Sequence, residues 1–388
     1  FRPIDDTFMR GMFKDNIPLA ELVLRIIVGK PDLTLTKCET QADLKRVTGA
    51  RSICLDAYAT DSTGKRYDIE IQRSDNGADP HRARYHSSVM DVENLDKDQD
   101  YRELPEEFLE KMKQFLGEEY PEYLASYEEE PRSGLRVNTG RLTPEQFLEM
   151  AQTADWNLKP VPWTKNGFYY QGERPSRHPW YYAGLYYLQE PSAMAPAAWL
   201  PIKPGDRVLD LCAAPGGKST ELAAKLTGTG VLFSNDISNS RAKALLKNLE
   251  MFGAGNICVT SEAPEKMAGI LPEFFDKILV DAPCSGEGMF RRDPSMVKSW
   301  NEKGPDYYAP LQRQILDCAV QMLAPGGKLV YSTCTFDRDE DEGTIEYILE
   351  KYPQMAVVPQ KPEYGFEGSR GIEGCLRSFP HRLEGVSA

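Results

Sequence analysis

Residues 201–388 predict an α/β fold, a doubly wound parallel sheet, and three observations carry it. Short apolar runs rich in Val, Ile and Leu recur along this stretch, as strands buried on both faces require. Segments of helical length fit between them. A glycine pair, Gly216-Gly217, follows the first apolar run and opens a helix, so that backbone can approach a ligand closely.

In order, the expected strands are Val208–Cys212, Val231–Asn235, Ile257–Ser261, Lys277–Asp281 and Lys328–Ser332. The expected helices are Ser219–Leu226, Ser240–Phe252 and Pro310–Leu323, and the turn Pro325-Gly326-Gly327 feeds the fifth strand. A sheet of this kind binds its ligand at the carboxyl ends of its strands.

Composition narrows the function. The 388 residues carry a net charge of −13, so the chain is no bulk nucleic-acid binder and any such contact needs a local basic patch. Eight cysteines without a CxxC pair and only 4 histidines argue against a zinc site. No signal peptide or membrane-length apolar run is present, so reduced thiols and a cytoplasmic location are expected. The chain starts at Phe1 rather than Met, which hints at a fragment. It divides into 1–103, a Pro-, Tyr- and Trp-rich stretch over 104–200, and 201–388.

The cofactor turn reads Asp210-Leu211-Cys212-Ala213-Ala214-Pro215-Gly216-Gly217-Lys218. It is neither GxGxxG nor a GxxxxGK[ST] phosphate loop, so pyrophosphate is disfavoured. Asp236 ends the second strand, where a carboxylate can take both hydroxyls of a ribose. Glu262 ends the third, positioned for an adenine, and Asp281 ends the fourth. Carboxylates in this order suit a nucleoside with a cationic tail, which describes S-adenosylmethionine. Ordinary helix-capping acids are the alternative for any one of them.

Two cysteines stand where strands should end: Cys284 in Asp281-Ala282-Pro283-Cys284-Ser285-Gly286 and Cys334 in Tyr331-Ser332-Thr333-Cys334-Thr335-Phe336. A thiol pair beside a cofactor turn points to covalent attack on an electron-poor ring. These strings, with Leu188-Gln189-Glu190-Pro191-Ser192-Ala193-Met194, resemble the RNA (cytosine-5) methyltransferases of the NOP/Sun type, in family order over nearly three quarters of the chain.

The resemblance implies a Rossmann-like S-adenosylmethionine-dependent methyltransferase sheet over 201–388 and a small α+β RNA-binding subdomain over 104–200. Cys334 would add to cytosine C6 and Cys284 would help remove the C5 proton. Asp281 would hold the cytosine edge near N3, and Lys218 would contact the reacting centre. The cofactor would meet Cys212, Ala213, Ala214, Pro215, Gly216, Gly217, Lys218, Asp236, Arg241, Glu262 and Asp281. The attacking thiol must be partly thiolate, so a lowered pKa is expected. Cys38, Cys54, Cys258 and Cys318 read as small buried hydrophobes.

The partner implied is RNA, small-subunit rRNA in particular, with the target base unpaired or flipped. Arg291 and Arg292 could hold phosphates. Arg132, Arg136, Lys159 and Lys165, among Trp156, Trp163, Tyr169 and Tyr170, suit single-stranded RNA. A plain domain with a solvated face would show the same composition. The acidic run Asp337–Glu342 reads as the solvated start of a helix.

In residues 1–103, Ile53–Ala59 and Tyr67–Gln72 flank Asp61-Ser62-Thr63-Gly64-Lys65, a hairpin signal. A turn centred on Thr63 would pair Asp56 with Glu70, a carboxylate pair able to take a divalent metal. The segment resembles the PD-(D/E)XK nuclease-like family linked to transposases, with Asp56, Glu70 and Gln72 as its motif residues and Gln72 in place of the usual Lys. Asp5-Asp6-Thr7-Phe8 and Phe13-Lys14 match that family's first helix. A further core strand is missing before a junction near residue 103, which argues against cleavage. At the far end, Leu376–His381 matches the methyltransferase core, but the expected Gly-Glu-Gly turn and final strand do not follow, so weak stability or poor target selection is expected. The rival functions are a metal-dependent nuclease or transposase accessory and a non-catalytic RNA-binding protein.

Overall fold

The computed structural model describes residues 17–28, 31–44, 53–62, 66–69, 104–172 and 175–383. The chain forms two compact units, Phe1–Asp100 and Tyr101–Ala388. In the first, helix α1 (Ile17–Val28) is followed by an antiparallel sheet of β1 (Leu35–Leu44), β2 (Ile53–Asp61) and β3 (Arg66–Ile69). Ala20 and Leu24, one turn apart on α1, are buried together with Leu33 and Leu35. Glu21 accepts the Leu35 N–H at 2.8 Å. The β2–β3 register pairs Ala57 with Ile69 and Thr60 with Arg66, while residues 63–65 between the strands lie outside the described residues. Asp56 lies on β2, while Glu70, Gln72 and the early residues 5–14 lie outside the described residues.

The second unit opens with α2 (Glu106–Leu116), whose Phe108, Met112 and Leu116 recur at the four-residue spacing of one helix face. They are buried with Phe290, Trp300, Phe336 and Phe379. Next comes an antiparallel sheet in the order β5-β6-β4-β7, formed by β4 (Ser133–Val137), β5 (Lys159–Pro160), β6 (Gly167–Tyr170) and β7 (Tyr186–Leu188). Helix α3 (Pro144–Thr153) starts at a capping box, with the Thr143 hydroxyl taking the Gln146 N–H and the Gln146 side chain taking the Thr143 N–H. Its Phe147 packs with Leu135, Val137, Phe168 and Tyr186.

The rest of this unit is built on a five-stranded parallel sheet in the order β10-β9-β8-β11-β12. Its strands are β8 (Arg207–Asp210), β9 (Val231–Asn235), β10 (Ile257–Thr260), β11 (Phe275–Asp281) and β12 (Leu323–Ser332). The helices are α4 (Gly217–Leu226), α5 (Asn239–Phe252), α6 (Pro264–Ile270), α7 (Ser295–Met322, broken at Gly304) and α8 (Glu342–Lys351). Alternation shows why both faces are apolar. Leu209, Ile278 and Val280 pack against Ile315, Leu316 and Ala319 of α7, while Val208 and Leu279 pack against Leu222 and Leu226 of α4. The order of strands reverses between β8 and β11, which opens a crevice at their carboxyl ends.

Two expectations need correction. Arg136 does not face RNA. It is fully buried, and its guanidinium reaches from β4 to the first turns of α4. It donates to Glu221 at 2.5 Å, the Gly217 carbonyl at 2.7 Å, the Thr220 hydroxyl at 2.6 Å and Gln189 at 3.0 Å. Trp163 is also buried, with its indole N–H on the Pro191 carbonyl, and Trp156 stacks edge-on with Phe147 and Tyr186. These rings fill a small domain that needs large apolar side chains to build a core. Arg132 lies over the Tyr169 ring at 5.7 Å, while Lys159 and Lys165 are exposed. Among the described residues no helix is long and apolar enough to cross a membrane.

Removing one partner of a buried ion pair strands the other charge. Arg136→Ala is therefore expected to lower the unfolding free energy by about 3–5 kcal/mol in urea denaturation. A loss under about 1 kcal/mol would show that Glu221 finds other partners.

Candidate active site

The residues singled out in the cofactor turn and at the strand ends converge on the crevice. Asp210 ends β8 fully buried; one carboxylate oxygen takes the Ser219 hydroxyl at 2.7 Å and the other has no partner. Burial raises its pKa to about 7, against the opposing Ser219 bond and Lys218 charge. Gly216 caps α4 at φ 110°, a left-handed conformation that favours glycine. A Cβ on Gly217 would meet the Gln189 amide at 3.1 Å, so the turn is also closed from behind. Cys212 lies within the turn, and burial followed by the surrounding acids raises its pKa, leaving it a thiol.

Asp236, nearly fully buried just beyond β9, pairs with Arg241 at 3.3 Å, and Arg241 also donates to the Ala214 carbonyl at 2.9 Å. Glu262 is half-exposed beyond β10 and pairs with Lys266 at 2.7 Å. Sequence reasoning passed over Asn235. Its amide donates to the carbonyls of Leu211 and Glu262 and accepts the Glu262 N–H, so one buried side chain ties three strand ends together.

Lys218 reaches across the crevice and donates to Asp281 at 2.5 Å, and the Ser332 hydroxyl holds the other Asp281 oxygen at 2.7 Å. Burial works against the Lys218 charge, but the Asp281 carboxylate outweighs it and raises the pKa. A cavity of about 630 Å³ is lined by Lys218, Asp281 and Cys334, with Trp199, Leu200 and Phe366 on an apolar wall.

The two cysteines meet. Their sulfurs are 3.2 Å apart, and the Cys334 N–H points at Cys284 Sγ at 3.3 Å. Cys284 is buried, and its hydrogen bond to Cys334, then burial, push its pKa up, so it rests as a thiol. Cys318, by contrast, is an ordinary member of the apolar core.

The acidic run is not a solvated helix start. Glu340 is fully buried and accepts the Ser285 N–H at 2.9 Å and the Gln312 amide at 2.7 Å. Asp341 accepts the Thr333 hydroxyl, and Glu342 pairs with buried Arg377. Asp337 pairs with Lys111 of α2 at 3.0 Å. The reason is geometric: the loops after β11 and β12 leave backbone N–H groups with no strand to pair with, and inward-pointing acids take them. Arg291 donates to the Glu129 carbonyl at 2.6 Å, while Arg292 is exposed. Among the described residues no cluster of three His, Cys, Asp or Glu is placed to hold a metal.

Burial is the largest cause that raises Glu340 and Asp341 to about 7 from ordinary values of 4.5 and 3.8. A carboxyl whose folded pKa lies above its unfolded value is protonated in the fold first. Its stabilising contribution is complete below about pH 4 and is lost as pH rises through about 7. Urea stability is therefore expected to fall between about pH 4 and 7, with a shallower slope in Glu340→Gln. An unchanged slope in that variant would place the titration elsewhere.

Two family models match in sequence order. "N-terminal domain of 16S rRNA methyltransferase RsmF" covers residues 104–191, and "16S rRNA methyltransferase RsmB/F" covers residues 197–386. A ribosomal RNA small subunit methyltransferase F from an Enterobacter species is 39% identical over 287 residues, 71% of this chain and 60% of its own length. The Escherichia coli O7:K1 protein of the same name is 37% identical over 288 residues, again 71% and 60%. The chain thus spans about 60% of the length of the curated relatives it matches. Among solved structures, a methyltransferase homologue from Pyrococcus horikoshii has a TM-score of 0.64 at 29% identity, covering 76% of this chain and 97% of its own. The fold is also that of NSun6 from Pyrococcus horikoshii with SFG, at a TM-score of 0.63 and 22% identity over 71% of this chain and 94% of that one.

Proposed function

The chain belongs, over residues 104–191 and 197–386, to the RsmB/F family of 16S rRNA methyltransferases, and on that premise we propose that it transfers a methyl group from S-adenosylmethionine to C5 of a cytosine in RNA. The observation that carries this reading is the contact of two thiols at 3.2 Å beside the Lys218–Asp281 pair.

The residues present fit the cofactor. Asp210 offers a buried carboxylate oxygen without a partner, and Gly216 and Gly217 leave backbone free to approach. Asp236 and Glu262 stand in strand-end order for ribose and base. Cys212, Ala213, Ala214, Pro215 and Arg241 would complete the lining. When bound, S-adenosylmethionine supplies an electrophilic methyl group.

Cytosine C5 is a poor nucleophile until C6 is attacked, so the protein must first add a nucleophile there. Cys334 has that role, and its electrons make C5 an enamine carbon. Asp281 holds the cytosine edge near N3, and Lys218 fixes Asp281 with its ammonium. After C5 carries the methyl group, Cys284, its own proton first given up to solvent, takes the C5 proton; the freed pair re-forms the C5=C6 bond as the C6–S bond breaks and returns its electrons to Cys334.

The first cause of Cys284's raised pKa is its hydrogen bond to Cys334. Once Cys334 is bonded to carbon that influence is gone. Cys284 therefore loses its proton more easily at the stage that needs a base.

Small-subunit rRNA is the substrate proposed, with residues 104–200 as the RNA-binding subdomain. Labelled methyl transfer from S-adenosylmethionine to small-subunit rRNA is expected for the wild type and absent for Cys334→Ala. Cys284→Ala is expected to accumulate a covalent protein–RNA adduct on denaturing gels. Equal transfer by wild type and Cys334→Ala would remove Cys334 from the nucleophile's role.

A further inference from the structure

Cys284 and Cys334 sit on two separate loops. The ladder of the parallel sheet ends at the pair Asp281–Ser332, with one more bond from the Ala282 N–H to the Ser332 carbonyl. Past that point the sheet no longer fixes where one loop lies relative to the other. The sulfurs are nonetheless in contact, so something else sets their separation.

Glu287, three residues past Cys284, is fully buried. One of its oxygens accepts the Lys111 ammonium of α2 and the Trp300 indole N–H of α7, the latter at 2.9 Å. The other accepts the N–H of Phe336, two residues past Cys334, at 3.3 Å. Its neighbour Gly288 donates to the Cys334 carbonyl at 2.9 Å. One carboxylate thus joins both thiol loops to two helices. Lys111 also pairs with Asp337 on the Cys334 loop, which closes the ring.

A fully buried carboxylate is costly unless its oxygens are matched by donors, so this geometry resists sliding. Ser285 and Thr335 share a hydroxyl contact at 2.7 Å between the loops, and Ser285 reaches α7 at one remove, through Glu340, which takes both its N–H and the Gln312 amide.

We propose that Glu287 is a positioning residue that sets the separation of the Cys284 and Cys334 sulfurs. Its meaning for catalysis rests on the methyltransferase reading above, since proton removal by Cys284 needs it within reach of a base bonded to Cys334. A misplacement of about 1 Å can cost about 100-fold in rate.

The spacing can be read without RNA or cofactor. Diamide, an azo oxidant, takes one hydrogen from each of two neighbouring thiols; the S–S bond forms and the N=N bond is reduced to the hydrazine. The readout is the rate of the intramolecular Cys284–Cys334 disulfide in the full chain, followed by peptide mass.

Glu287→Gln is expected to slow it about tenfold. Trp300→Phe, which removes one donor and keeps the ring, is expected to slow it about threefold. Phe147→Leu, in the core of the α+β sheet, is expected to lower the melting temperature and leave the rate unchanged.

A folded Glu287→Gln that crosslinks within about twofold of wild type would overturn the proposal. So would a Phe147→Leu that slows the reaction as much as Glu287→Gln does. If Glu287→Gln does not fold, an unchanged rate in Trp300→Phe is the overturning result. Slowed crosslinking in a chain that transfers no methyl group would support Glu287's role and count only against the methyltransferase reading.

Discussion

The Lys218–Asp281 pair spans the point where the sheet changes direction, and the site is arranged around it. β8 and β11 are neighbours, yet the segments that follow them leave towards different elements. A lysine largely withdrawn from water at such a point is stabilised by a neighbouring carboxylate. Asp281 supplies it, and Ser332 on β12 fixes the remaining oxygen. Three elements are registered by two bonds, and the cofactor turn faces the thiol loops across a fixed gap. The same positive charge sits beside Asp210, which burial holds near neutrality.

Around this pair the protein uses acids as internal staples. Glu221, Glu287, Glu340 and Glu342 are all buried, although the chain as a whole is strongly acidic. Each accepts hydrogen bonds from groups that the sheet or a helix cannot serve: an arginine from another sheet, an indole, loop amides, a glutamine. Loops that carry chemistry must leave the regular hydrogen-bond ladder, and these carboxylates replace the partners lost.

The middle subdomain contributes in an unforeseen way. Its aromatic residues are mostly its own core, and Arg136 holds the far side of α4 rather than a substrate. Lys218 lies between Gly217 and Thr220, both bonded to Arg136, so the antiparallel sheet helps orient the lysine. Domain and cofactor turn are mechanically one piece there.

The sequence by itself determined the parallel sheet and singled out the residues that meet at its carboxyl ends. Strand runs such as Val231–Asn235 follow from apolar patterning alone, which needs no partner to be recognised. The Gly216-Gly217 turn was legible because a left-handed φ at Gly216 favours glycine. The thiol strings were legible because reactive residue types stood at strand ends.

Tertiary structure decided which charges face inward. Asp337–Glu342 and Arg136 look solvated in one dimension, since acids and arginines usually are. Their partners Lys111, Gln312, Arg377 and Glu221 are distant in sequence, and no local periodicity announces them. The contact of Cys284 with Cys334 is of the same kind: 50 residues apart, it exists only because β11 and β12 end side by side.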